Sequence, residues 1–250
     1  MTELMHPLAE AFRHDGSNGE AVVIIHGFTG NPAQFRPLGE ALNTAGYTVI
    51  APRLAGHGTS REDMATTGAR DWIASARAAY DEVVADHDAV HLVGLSMGGL
   101  ISILLARHLP VASVTTINSP VLVRDPRSYL APFLARWVPA IEWADSGPPD
   151  VDEDMLPYWV TYDGFSTEKL GDLHAILFGA VSWARYVRAP LLVIQSKTDE
   201  TVHPVSARIL DGAFGGDSRV VWLERSMHNA LIDRERDVIE SAILAHMGGA

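Results

Sequence analysis

The chain of 250 residues contains no cysteine. Disulfides, thiol nucleophiles and thiolate metal sites are therefore excluded. Cations are also scarce: 19 Lys and Arg stand against 31 Asp and Glu, for a formal net charge of -12. That balance disfavours nucleic acid and anionic membrane surfaces as partners, and reads as a solubility feature. Long hydrophobic runs are missing, since no stretch approaches the length of a membrane span. The start, MTELMHPLAEAFRHDG, has no basic region followed by an apolar run. Stable membrane insertion is not expected, and the cytoplasm is the expected location. No H-E-x-x-H or H-x-x-H pattern joins the 11 histidines into a metal set, and no metal or cofactor is expected. Internal repeats and low-complexity tracts are absent as well. Gly56-His57-Gly58 lacks the further glycine of a nucleotide-binding turn and reads as a loop at a pocket mouth.

What the chain does have is alternation. Short apolar runs rich in Val and Ile cover Ala21–Ile25, Tyr47–Ala51, Ala89–Leu95, Val111–Ile117, Pro190–Ile194 and Arg219–Leu223. Most are apolar on both faces, as expected of parallel strands covered by helices on both sides. Helices are expected at Pro32–Ala45, Asp71–Asp86, Met97–His108, Pro204–Ala213 and Asp233–His246. The first has Asn31 as N-cap, Pro32 in its first turn and Gly46 as its stop. In the second, Trp72, Ile73, Ala76, Tyr80, Val83 and Val84 recur at helical spacing. One segment breaks the pattern. Val121–Trp183 is far longer than a crossover helix needs, and carries Trp137, Trp143, Trp159, Trp183, several prolines and the acidic patch Asp150–Asp154. It reads as a cap at about residues 121–184, inserted in a single domain spanning 1–250. Large apolar side chains on such an insertion can line a pocket and exclude water.

Gly94-Leu95-Ser96-Met97-Gly98 is a G-x-S-x-G pattern. It lies between a strand run and a helix start, the context of a nucleophile elbow. Ser96 is the candidate nucleophile, and a serine hydroxyl needs a general base. The chain order Ser, acid, His sets aside His26, His57 and His91. His228, in Arg225-Ser226-Met227-His228-Asn229 after the last strand run, is the chosen base, with His203 and His174 as rivals. Asp199, after the fifth run, is the chosen acid, with Glu200 and Asp125 as alternatives. An oxyanion needs two donors. The Met97 N–H is one, at a helix N-terminus. The other is the Phe28 N–H, in the glycine-rich loop His26-Gly27-Phe28-Thr29-Gly30, where the Phe28 ring could also line an acyl pocket. The complete set argues against a non-catalytic binding protein.

At these residues the chain resembles a known family. HGFTGNPAQFRPLGEALNTAGYTVIAPRLAGHGT, then GLSMGG, then the late Asp199 and His228, are similar to the bacterial monoacylglycerol lipases and small carboxylesterases of the α/β-hydrolase fold. The stretch AGYTVIAPRLAGHGTSREDMATTGARDW is closer to the former. The resemblance runs from about Gly19 to the C-terminus and is weakest across the cap. It implies a mostly parallel central sheet with flanking helices and a small helical cap. It implies Ser96, Asp199 and His228 as a triad, and Phe28 and Met97 as oxyanion donors. Asp163 matches an acidic residue that meets glycerol hydroxyls beneath the cap in the monoacylglycerol lipases. The implied partner is a small ester or lipid substrate, with transient lipid-surface contact through the cap. A broad carboxylesterase is the alternative.

Overall fold

A computed structural model describes residues 3–142 and 151–249. Strands β1 (Phe12–His14), β2 (Glu20–Ile25), β3 (Thr48–Ala51), β4 (Ala89–Leu95), β5 (Ser113–Ile117), β8 (Leu191–Ser196) and β9 (Ser218–Leu223) form one sheet. A separate ribbon pairs β6 (Ala140–Glu142) with β7 (Gly164–Ser166). The order in the main sheet is β1-β3-β2-β4-β5-β8-β9. Only β1 runs antiparallel to its neighbour. The six apolar runs become its six parallel strands. β1 carries Arg13 and His14 and shows no apolar run, so nothing local announces it; it forms only where β3 offers a free edge.

Alternation along each strand divides the core in two. Val23 and Ile25 face one layer while Val22 and Ile24 face the other. The first layer holds α3 (Ala69–Val83), α4 (Met97–Ala106), α6 (Lys169–Trp183) and α7 (Val205–Ala213). The second holds α1 (Arg36–Thr44) and α8 (Arg236–Met247). The helix expected over Pro32–Ala45 is divided: residues 32–35 form a 3-10 turn and α1 starts at Arg36. Pro37 has no N–H to give the Ala33 carbonyl, so a continuous α-helix would lack that bond. The Asn31 cap is present, its side chain accepting from the Ala33 N–H. Two short helices, α2 (Arg61–Ala65) and α5 (Ala131–Leu134), complete the set. Among the described residues no helix is long and apolar enough to cross a membrane.

The inserted segment also divides. Its last part, α6, buries Leu170, Leu173, Ile176, Leu177 and Ala180 in the main core and packs along α4. Trp183 ends α6 beneath the Arg107 guanidinium, on the flank of the sheet layer rather than over the strand ends. What remains is not purely helical. Among the described residues it consists of 3-10 turns at Pro126–Tyr129 and Glu153–Tyr158, the short α5 and the β6–β7 ribbon. Trp143 and Asp150 lie outside the described residues.

Candidate active site

Parallel strands send their C-terminal loops to one edge. The register pairs Ile25 with Gly94, Leu95 with Ile117, Ile117 with Ile194 and Ser196 with Leu223, so β2, β4, β5, β8 and β9 end almost level. The residues that follow these ends include Phe28, Ser96, Asn118, Asp199 and His228.

Ser96 sits between β4 and α4 with φ 55 and ψ -120. A non-glycine residue there is strained, and the strain is held by its surroundings. Its N–H donates to the Ile117 carbonyl at 2.8 Å, and its carbonyl accepts from Gly99 N and Ser119 Oγ. The turn is too tight for side chains: a methyl group at Gly98 would lie 1.9 Å from the Ile25 carbonyl oxygen. At Gly27 it would lie 3.1 Å from Ser96 Cβ, so the loop after β2 packs directly on the serine.

That loop is locked by His26, which is buried. Its Nδ1 donates to the Gly27 carbonyl at 2.9 Å, and its Nε2 accepts from the Leu54 N–H at 3.1 Å. Burial, then the neighbouring His57, holds its pKa well below the usual range, so the ring is neutral. Burial likewise lowers His57 to about 4. Among the described residues no protein acceptor takes the Phe28 N–H or the Met97 N–H. The Phe28 ring touches Trp72 on one side and Phe165 of β7 on the other, joining α3 to the inserted segment.

Asp199 is wholly buried in the loop after β8. Its Oδ1 accepts from Thr201 N and Val202 N at 2.8 and 2.7 Å, and its Oδ2 lies 2.9 Å from His228 Nδ1. Nδ1 therefore carries the proton, which leaves Nε2 as the basic nitrogen. Burial disfavours the imidazolium, but the Asp199 charge and hydrogen bond, aided by Glu200, outweigh it and raise the His228 pKa above its usual value.

The alternatives are elsewhere. Asp125 is exposed and engaged by Arg127. Glu200 accepts the His228 backbone N–H rather than its ring. His203 Nδ1 accepts from Val205 N, and His174 stacks on Tyr129.

Asp163 faces solvent. It precedes β7, its carboxylate is 76% exposed, and Arg61 Nε holds it at 3.0 Å. Its neighbour Tyr162 is the residue that turns inward, donating to the Gly56 carbonyl and accepting from Thr59 N. Both residues lie just before β7; the apolar ring takes the buried place while the carboxylate stays with water and Arg61.

Sequence reading also missed the groups that shape the His228 loop. Glu235 accepts from the backbone N–H groups of Glu224, Arg225 and Ser226 and from Ser226 Oγ. Burial opposes its charge, but these donors win and lower its pKa to about 2. Asp233 accepts from Met227 N at 2.6 Å. Both had been absorbed in an expected helix from Asp233. They turn back to the loop instead, and α8 begins at Arg236. Acidic residues at a helix start are ordinary, so the sequence carried no signal of this second use.

A model of the alpha/beta hydrolase family matches residues 22–241. The thermostable monoacylglycerol lipase of Bacillus sp. (strain H-257) is 33% identical over 244 residues, covering 96% of this chain and 95% of the relative. A carboxylesterase of Bacillus subtilis (strain 168) is 28% identical, covering 90% of each. Among solved structures, one from work on the metagenome-derived lipolytic enzymes LipS and LipT superposes with a TM-score of 0.89 at 30% identity, covering 98% of this chain and 99% of that one.

Proposed function

Because this chain belongs to the alpha/beta hydrolase family and is a carboxylic ester hydrolase of the lipase and carboxylesterase kind, we propose that it cleaves monoacylglycerols to glycerol and fatty acid through an acyl-enzyme on Ser96. His228 Nε2 takes the Ser96 proton as Oγ attacks the ester carbonyl. The Phe28 and Met97 N–H groups receive the oxyanion, and the alcohol leaves with the proton from His228. Water, activated by the same imidazole, then releases the acid. Asp199 keeps the ring in the required tautomer and stabilises the imidazolium. The observation that carries this reading is the 2.9 Å bond between buried Asp199 and His228 Nδ1, on the sheet edge that holds Ser96 in a strained turn.

The substrate class rests on the monoacylglycerol lipase relative and on the cap. Leu130, Phe133, Leu134, Trp137 and Val138 are exposed together, with Phe133 at 78% and Trp137 at 72%. An apolar cluster of this kind suits transient contact with a lipid surface, despite the acidic net charge. A broad carboxylesterase is the second reading. It is favoured by the outward-facing Asp163, which leaves no carboxylate there for glycerol hydroxyls. The test is a panel of monoacylglycerols and p-nitrophenyl esters of matched chain length, with Ser96→Ala as control. That variant should fold and lose about 10⁴-fold in turnover, and a serine-directed phosphonate should label Ser96 alone. Retained activity in the folded variant would end the mechanism. Equal kcat/KM on both ester classes would favour the carboxylesterase.

A further inference from the structure

No motif marks Asn118. It follows Ile117 at the end of β5, is fully buried, and has a φ of 46. The orientation of its amide is fixed by a main-chain donor: Oδ1 accepts the backbone N–H of Ser196 at 2.8 Å. Gln195 Nε2 adds a second bond to Oδ1 at 3.2 Å. Nδ2 must then face the other way. There it meets the His228 carbonyl oxygen at 2.9 Å, the Met227 carbonyl oxygen at 3.1 Å and Ser196 Oγ at 3.1 Å. On its backbone side, Asn118 N donates to Ile194, and the preceding carbonyl, that of Ile117, accepts from Ser96 N. One residue thus joins the nucleophile's turn, the strand leading to the acid and the main chain of the base.

We propose that Asn118 is a positioning residue for His228. The inference rests on the triad reading above and adds a member that does not touch substrate. Asp199 ties only the ring of His228, and a ring tied at Nδ1 can still swing if its backbone shifts. Asn118 fixes the carbonyl of that residue while Glu200 takes its N–H. The rest of the loop has other holds: Glu235 and Asp233 take the N–H groups of residues 224–227, and Ser196 Oγ shares the Met227 carbonyl with Asn118. Loss of the amide should therefore loosen the base without unravelling the loop.

Two variants test this. Asn118→Gly removes the side chain and tolerates the positive φ. Asn118→Asp keeps an acceptor for Ser196 N but turns an oxygen toward two carbonyl oxygens, which is tolerable only while that carboxyl is protonated. Hydrolysis of p-nitrophenyl butyrate is followed from pH 5 to 9, with kcat expressed per phosphonate-titrated Ser96 so that misfolded molecules do not count. For the Gly variant kcat should fall by roughly 10- to 100-fold with KM nearly unchanged, the expected result of misplacing a base by about 1 Å. Its ratio to wild type should not vary with pH. For the Asp variant the ratio should fall as pH rises. If kcat per titrated site stays within about twofold of wild type in both variants, the amide is merely structural and the proposal is overturned. A pH-independent ratio for the Asp variant overturns it as well. Failure of the triad reading itself is distinguishable: wild-type activity would survive Ser96→Ala or full phosphonate labelling.

Discussion

Carboxylates at the sheet edge and in the cap are handled in opposite ways. At the edge, Asp199 is wholly buried and Glu235 nearly so, and their bonds run mainly to backbone N–H groups and to His228. In the cap, Glu142, Asp152, Asp154 and Asp163 are all more than 60% exposed, and arginines of the body hold them: Arg61 for Glu142 and Asp163, Arg236 for Asp152 and Asp154. Bonds from a buried carboxylate to fixed donors are strong, and losing a partner costs about 1–3 kcal/mol. Exposed ion pairs contribute about 0–1 kcal/mol each and weaken with salt. The edge is built for fixed geometry. The acidic face of the inserted segment is tied down weakly by charge, while firmer anchors include Tyr162 on Gly56, Asn31 Nδ2 on the Val160 carbonyl, Lys169 Nζ on the Thr67 carbonyl and Arg124 N on the Thr201 carbonyl.

The sharpest way to break this contrast is to remove charge from each region in turn. Asp199→Asn should lower kcat by about 10³- to 10⁴-fold, because the imidazole loses its orienting acceptor. Asp125→Asn, at a carboxylate that among the described residues bonds Arg127 alone, should leave esterase activity within about twofold. A reversed result in steady-state assays would move the acid one strand earlier.

Acidification should strike the site side of the molecule next. His26 and His57 are neutral in the fold, with pKa values depressed below the unfolded 6.5, to about 4 for His57. Their stabilising contribution is complete above pH 6.5. It is lost as pH falls, because the unfolded chain then binds protons that the folded chain refuses, at about 1.4 kcal/mol per pH unit for each proton. Glu235 extends the loss at lower pH, from its unfolded 4.5 down to about 2. Urea unfolding at pH 8, 6.5 and 5 should show a plateau and then a decline, shallower in His57→Gln. A flat profile down to pH 5 would contradict the buried neutral pair.

Smaller effects belong to the cap. Trp137→Ser should change stability by less than about 0.5 kcal/mol, since its ring is exposed. It should slow hydrolysis of monoacylglycerol in vesicles by roughly three- to tenfold while sparing a soluble p-nitrophenyl ester, as expected when apolar area is lost from a lipid contact. Equal effects on both assays would place Trp137 in ordinary substrate binding. Asp163→Ala should have the smallest effect, below about twofold in kcat/KM on either ester, as for a surface ion pair. A selective loss on monoacylglycerol would restore Asp163 to glycerol recognition.

How much of this was legible in the sequence depended on the range of the interaction that decides each feature. Strands β2 to β5, β8 and β9 were legible because their runs are mostly apolar and rich in Val and Ile, as strands covered by helices are, although β9 is only half-buried and β5 carries Ser113, Thr115 and Thr116. The elbow was legible because its glycines answer to contacts inside one turn, such as Gly94 against Gly98. The short edge strand β1 and the β6–β7 ribbon were not, since three-residue strands have too little pattern to stand out. At Asp163 the family position suggested an inward carboxylate, whereas the segment before β7 turns Tyr162 inward and leaves Asp163 with Arg61.

The sequence by itself determined the layered α/β architecture, the strained serine turn and the chain order of Ser96, Asp199 and His228. Those features rest on apolar periodicity and on torsion angles that a few adjacent residues control. Tertiary structure alone decided that Asp199 rather than Asp125 meets His228, that Glu235 folds back from the approach to α8, and that Asn118 reaches a carbonyl 110 residues away. Such choices depend on which loops the sheet order brings side by side, and a hydrogen bond spanning the chain leaves no mark on the residues next to its ends.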